Sequence, residues 1–259
     1  MQPRPTNLAS SGVEKIIKRL KEIPGGKILD VGTGRGDFIE FLHKALKNHE
    51  SSMGIDISKK ELEKARKRHG KIAKFSEMNA ENLDFTDNTF GVVSIASSLH
   101  HLEKPERVLQ EMFRVLKTDG YLIIQEMYSD LDQTNSQITA SLIHHFTAKI
   151  DTILGEYHRR TYTRHEIKQL LNRIKLKEIE IFDTTRYPTC FFCEEKEKCD
   201  NPMEESFITT GINDLKSSLE KIENQSEYKK YKKEADELEE KIKETGYSDA
   251  SILFILAKK

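Results

Sequence analysis

The chain has 259 residues, 42 Lys+Arg against 43 Asp+Glu, a net charge of -1, and a composition 36% hydrophobic and 33% charged. That is a lean core under a charged surface. It suits one domain with an appendage, and the missing basic excess argues against nucleic acid as a partner. No run of about eighteen apolar residues occurs and positions 1–10 carry no apolar core, so neither membrane insertion nor a secretory signal is predicted, and the cytoplasm is the expected location.

Ser11 and Glu14 have capping-box spacing ahead of an apolar face of Val13, Ile16, Ile17 and Leu20. This predicts a first helix, stopped by Pro24-Gly25-Gly26. Strands and helices then alternate. Strands are predicted over Lys27–Val31, Met53–Ile57, Ala73–Met78, Phe90–Ala96 and Tyr121–Met127, the last opened by Asp119-Gly120. Helices are predicted over Asp37–Lys47, Lys59–Arg68 and Pro105–Leu116. Such alternation implies right-handed crossovers and a mostly parallel sheet covered on both faces, an α/β fold.

Beyond Tyr128 the pattern loosens. Ile138, Leu142, Phe146, Ile150 and Ile153 suggest a long amphipathic helix, and Thr163 with Glu166 repeats the capping-box spacing before another. Sixth and seventh strands are expected at Leu176–Phe182 and Ser251–Ala257. Between them lies an insertion, 186–249. Thirteen of the nineteen residues from Ser226 to Glu244 are charged, the mark of a solvated helix, although Tyr228, Tyr231, Ala235, Leu238 and Ile242 recur at helical steps.

The chemistry starts at Ile28-Leu29-Asp30-Val31-Gly32-Thr33-Gly34-Arg35-Gly36-Asp37, a glycine loop that follows a strand and opens a helix. Its G-x-G-x-G spacing departs from the G-x-G-x-x-G of dinucleotide binders. Twenty residues after Gly36, Gly54-Ile55-Asp56-Ile57 ends the second strand with a carboxylate able to accept a ribose diol. Further runs follow in order: Asn79-Ala80-Glu81-Asn82-Leu83, then Phe90 to Leu102 with Ser97-Ser98-Leu99-His100-His101, then Val108 to Tyr121.

Together these runs resemble the class I S-adenosylmethionine-dependent methyltransferases, in particular the ubiquinone/menaquinone-biosynthesis C-methyltransferases and their small-molecule relatives. The resemblance covers about Lys27 to Tyr128 well and the rest thinly. It implies a Rossmann-like, seven-stranded sheet with the last strand antiparallel, carrying a helical cap and a helical insertion. It divides a single domain into an N-terminal helix (1–26), a cofactor-binding core (27–128), a cap (129–175), the cysteine-containing charged insertion (186–249) and a last strand (250–259). It implies direct displacement of the sulfonium methyl by a small-molecule acceptor. The other readings are a protein, nucleic acid or metalloid acceptor, and a non-catalytic cofactor-binding scaffold.

By the same resemblance, Asp30, Gly32, Gly34 and Gly36 hold the methionine portion, and Asp56 holds the ribose, with Ile57 against the adenine. Asn79, Ala80 and Glu81 border the adenine, and Ser97 or Ser98 lines the opening over the methyl. The family usually has Asp where Asn79 stands, Phe-Asp where Phe90-Gly91 stands, and Pro-Gly-Gly where Thr118-Asp119-Gly120 stands. His100 and His101, after the fourth strand, are candidates for a base or a substrate-orienting group, or simply a loop pair that shapes the site. Tyr128, His144, His145 and Tyr162 are candidate acceptor contacts from the cap. Cys190, Cys193 and Cys199, all the cysteines of the chain, have a spacing open to zinc or iron, to soft metalloids, to a redox pair or to free thiols. The oligomeric state is left open between monomer and homodimer.

Overall fold

The computed structural model describes residues 12–130, 133–183 and 201–259. The chain runs α1 (Gly12–Leu20), β1 (Pro24–Val31), α2 (Asp37–Ala45), β2 (Lys47–Asp56), α3 (Lys59–His69), β3 (Lys74–Glu77), β4 (Phe90–Ala96), a 3-10 turn (Leu99–His101), α4 (Pro105–Val115) and β5 (Leu116–Met127). It continues through α5 (Asn135–Ile153), α6 (Arg164–Leu171), β6 (Lys177–Asp183), α7 (Glu205–Glu220), α8 (Tyr228–Thr245) and β7 (Ile252–Lys258). The sheet order is β3-β2-β1-β4-β5-β7-β6, with β7 antiparallel to both its neighbours and the other pairings parallel.

Two apolar layers hold the sheet. On one face Val108, Leu109, Met112 and Val115 of α4, with Ile167, Leu170 and Leu171 of α6, close over Leu29, Val93, Ile95 and Ile124. On the other, Ile16 and Leu20 of α1 and Phe38, Phe41 and Leu42 of α2 pack on Ile28, Val92 and Phe254. The alternation of inward and outward residues along β1 and β4 supplies both layers. The strand order reverses between β1 and β4, and open α/β sheets bind ligands outside the carboxyl ends of such a pair.

Several expectations are corrected. Pro24-Gly25-Gly26 belongs to β1 and pairs with β2 at Lys47 and His49. Residues 116–120 are also drawn into β5, with a register shift against β4 and Asp119 at φ 58°. The backbone packing explains Gly91, the departure from Phe-Asp: a Cβ there would meet the Gly25 carbonyl oxygen at 3.0 Å. On α5, Ile138 and Leu142 face outward, and Ile143 replaces them in the buried stripe with Phe146 and Ile150. Thr163 and Glu166 do form the expected capping box, whereas Ser11 lies outside the described residues.

The insertion is more than a solvated arm. Leu215 and Leu219 of α7, Ile222 and Ala235, Leu238 and Ile242 of α8 share one apolar cluster with Ile143, Phe146 and Ile150 of α5. Cap and insertion therefore form one helical layer with a core of its own. Helix α7 was not anticipated, although Ile208, Ile212, Leu215 and Leu219 carry the helical period.

Candidate functional site

The glycine loop leaves β1 at Val31 and turns through Gly32 (φ 65°), Gly34 (φ 51°) and Gly36 (φ 84°), left-handed conformations that favour glycine. A Cβ at Gly32 would strike Ser98 Oγ at 2.9 Å, whereas one at Gly34 would meet nothing within 4 Å. At Gly34 the left-handed backbone accounts for the glycine, and the space above it is open to a ligand. Asp56, at the tip of β2, accepts the Gly34 N–H on Oδ2 and the Ser58 N–H on Oδ1, both at 2.8 Å. Its remaining lone pairs are available to two hydroxyls. Beside it Ile57 is 73% exposed, an apolar platform at a strand end with nothing packed on it that would account for it.

Asp30 lies beneath the loop and is 1% exposed. Its carboxylate accepts Thr33 Oγ1–H and Ser94 Oγ–H, both at 2.7 Å. Burial pushes it up to about 6, against the pull of those two hydrogen bonds. Asn79 accepts the Glu81 N–H on Oδ1 at 2.9 Å, closing a turn that also carries Ala80. Glu81 pairs with Lys104 at 3.2 Å. Ser97 stands exposed at φ 46°, while Ser98 Oγ is bonded to the carbonyls of Gly32 and Ala96. Of the two serines, Ser97 is the exposed one.

His100 is buried and lies against the Glu126 carboxylate, Nδ1 to Oε1 at 2.8 Å. Glu126 also accepts the N–H groups of Leu99 and Met127 at 2.8 Å, so an acid from the middle of the sheet fixes the turn after β4. His101 sits tilted against two rings, with centroids 4.3 Å from His100 and 4.1 Å from His158. Desolvation there, with those two neighbours, pushes it down to about 3. Burial likewise takes His144 down to about 2 and His145 to about 4, and lowers His158. A general base works best with a pKa near the operating pH, so His101, His144 and His145 are not poised as one.

His144 joins the group from α5, its Nε2 3.3 Å from Nε2 of His158. His158 in turn meets Asp151, Nδ1 to Oδ2 at 2.8 Å, and Lys221 donates to the other oxygen of Asp151 at 2.8 Å. Lys221 comes from the end of α7, so the insertion reaches this cluster. His145 points elsewhere, to Thr161 Oγ1 at 2.8 Å. Tyr128 and Tyr162 are in the core: Tyr128 OH donates to Asp183 at 2.6 Å and Tyr162 OH to the Leu99 carbonyl at 3.3 Å. The structure thus gathers His100, His101 and His144 and assigns the two tyrosines to packing. It adds Glu126, Asp151, His158 and Lys221, none of them among the candidates named from the sequence. An acid inside the apolar run Tyr121–Met127 was the available signal for Glu126.

Between cap, insertion and the end of β5 lies a cavity of about 460 Å³, lined among others by Met127, Ile143, His144, Asp214, Lys221 and Tyr247. Cys190, Cys193 and Cys199 lie outside the described residues.

Residues 29–124 match a methyltransferase domain family. The chain is 36% identical over 114 residues to the demethylmenaquinone methyltransferase of Thermotoga maritima, covering 44% of this chain and 49% of that one. It is 28% identical over 172 residues to the enzyme of the same description from Alkalihalophilus pseudofirmus, covering 63% and 71%. The chain spans about half the length of the first curated relatives it matches. Among solved structures, the YcgJ protein of Bacillus subtilis superposes with a TM-score of 0.56 at 17% identity, over 96% of this chain and 97% of that one, which is a likeness of fold.

Proposed function

We propose, from the premise that this chain belongs to the class I S-adenosylmethionine-dependent methyltransferases of the ubiquinone/menaquinone C-methyltransferase-like group, that it methylates a small molecule in the cytoplasm. The observation that carries this is the cradle: the open space over Gly34, the Asp56 carboxylate at the strand tip beside it, and the exposed Ile57. When bound, S-adenosylmethionine supplies a methyl on a sulfonium, which an acceptor atom displaces in line. The chain's own residues position and desolvate. Asp56 binds the ribose hydroxyls, Ile57 and the turn Asn79-Ala80-Glu81 border the adenine, and Gly32, Gly34 and Gly36 let the backbone approach the methionine portion. Asp30 sets a negative charge under a cationic ligand.

The cavity of about 460 Å³ under the cap has the volume for a small molecule, but its lining includes none of the cradle residues, so the acceptor is not assigned to it. His144 lines one wall of it, and His100 and His101 shape the turn after β4. The spacing of Cys190, Cys193 and Cys199 keeps a zinc or iron ion open for the segment beyond β6. No helix among the described residues is long and apolar enough to cross a membrane. Incubating the protein with methyl-labelled S-adenosylmethionine and a fractionated cell extract tests the reading. Label is expected in the low-molecular-weight fraction. Label in protein or nucleic acid contradicts the acceptor class, and intact cofactor binding with no label anywhere supports a scaffold.

Asp30 gives a pH prediction. Its pKa is raised from 3.8 to about 6, so the folded protein keeps a proton that the unfolded chain has lost. Ionising it therefore costs stability as pH rises from about 4 to 6, and a bound cation offsets that cost. Calorimetry should show cofactor affinity roughly tenfold weaker at pH 5 than at pH 7.5. Asp30→Asn should flatten this step; an unchanged step in that variant assigns the titration to another group.

A further inference from the structure

We infer that His100, His144 and His158 form a binding site for one zinc-class divalent metal ion, which ties the cap to the sheet. The three rings come from three separate segments: the turn after β4, the middle of α5 and the loop before α6. Their ligand nitrogens all lie within 4.8 Å of one another. The separation of the facing Nε2 atoms of His144 and His158, 3.3 Å, is also telling. Two nitrogens at about 2.0–2.1 Å from a tetrahedral zinc stand roughly 3.3–3.4 Å apart.

The supports behind the rings point the same way. His100 turns Nδ1 to the buried Glu126 and His158 turns Nδ1 to the buried Asp151, each at 2.8 Å. Each carboxylate fixes the tautomer that carries its proton on Nδ1 and leaves Nε2 with a lone pair. Carboxylate–histidine–metal triads are built this way, with the acid raising the basicity of the ligand. Both acids are themselves secured: Glu126 by two backbone N–H groups and Asp151 by Lys221. Three nitrogen ligands leave a fourth position, and His144 also lines the cavity. Water or an acceptor heteroatom can occupy that position. Imidazole ligands suit zinc, cobalt, nickel, copper and iron, so the class is borderline transition metals rather than magnesium or calcium.

The site is tested on the full chain without cofactor or acceptor, so its failure is separate from a failure of the methyl-transfer reading. Cys190→Ser, Cys193→Ser and Cys199→Ser are combined first, which removes thiolate ligands. Metal-stripped protein is then titrated with cobalt(II). One equivalent should bind with the visible ligand-field bands of a four- or five-coordinate ion. His144→Ala and His158→Ala should each weaken binding at least about 100-fold, and Asp151→Asn about 10- to 100-fold. Circular dichroism reports whether each variant is folded. X-ray absorption on the zinc-loaded parent decides the case even if variants unfold: three imidazole scatterers are expected. Binding no tighter than millimolar, binding unchanged in folded His144→Ala and His158→Ala, or a first shell without three imidazoles would overturn the site.

Discussion

Asp56→Ala is expected to weaken S-adenosylmethionine binding by on the order of 1.5–3 kcal/mol, or about ten- to 150-fold, measured by calorimetry. Two effects add. The carboxylate that would accept two ribose hydroxyls is lost, and charge-assisted bonds of that kind are among the stronger ones. The Gly34 N–H also loses its acceptor, so the loop that lines the cradle is no longer tied to β2. Asp56→Asn separates these contributions, because its amide oxygen can still accept one N–H. It should lose less than the alanine variant. Affinity unchanged in Asp56→Ala would mean that the ribose is held elsewhere.

Gly34→Val should abolish measurable cofactor binding while the protein stays folded. A Cβ there would meet no protein atom within 4 Å, so the added volume goes into the cradle, and the left-handed backbone costs roughly 1–2 kcal/mol. Gly36→Val is the contrast. A Cβ there would lie 3.0 Å from His69 Cδ2 and 3.1 Å from Phe75 Cζ, so that substitution attacks the packing of α2 against α3 and β3. A small fall in melting temperature with binding lost is expected at position 34, and a large fall at position 36. A folded Gly34→Val protein that binds normally would reduce Gly34 to a turn residue.

The core of the fold was legible because its signals are local. Apolar strands of five to seven residues, the helical period of α4 and the box at Thr163 and Glu166 need no tertiary information. The glycine turn and the carboxylate at the tip of β2 were legible for the same reason: Gly32 to Asp37 and Asp56 sit at fixed offsets from two strand ends. What stayed hidden depends on contacts across long separations. Glu126 is meaningful only because β5 brings it beside the turn at Leu99–His101. Lys221, read as one more charge in a charged insertion, secures an aspartate seventy positions earlier in the chain. Tyr128 and Tyr162 looked like substrate groups because they are polar aromatics near the cap, but both rings are fully buried and their hydroxyls have protein partners. The outward turn of Ile138 and Leu142 has a related cause. Small polar residues of α5, Ser136 and Thr139, are instead packed against Ser248 and Thr245, a pairing invisible to hydropathy.

The central claim is that the cradle over Gly34 holds S-adenosylmethionine with its ribose on Asp56. The most direct measurement is a crystal structure of the full chain with S-adenosylhomocysteine. The account predicts both ribose hydroxyls within about 3 Å of the Asp56 carboxylate, the adenine against Ile57 and the homocysteine over Gly32 to Gly36. A ligand bound elsewhere, or one in the cradle that leaves Asp56 without a ribose contact, would contradict it.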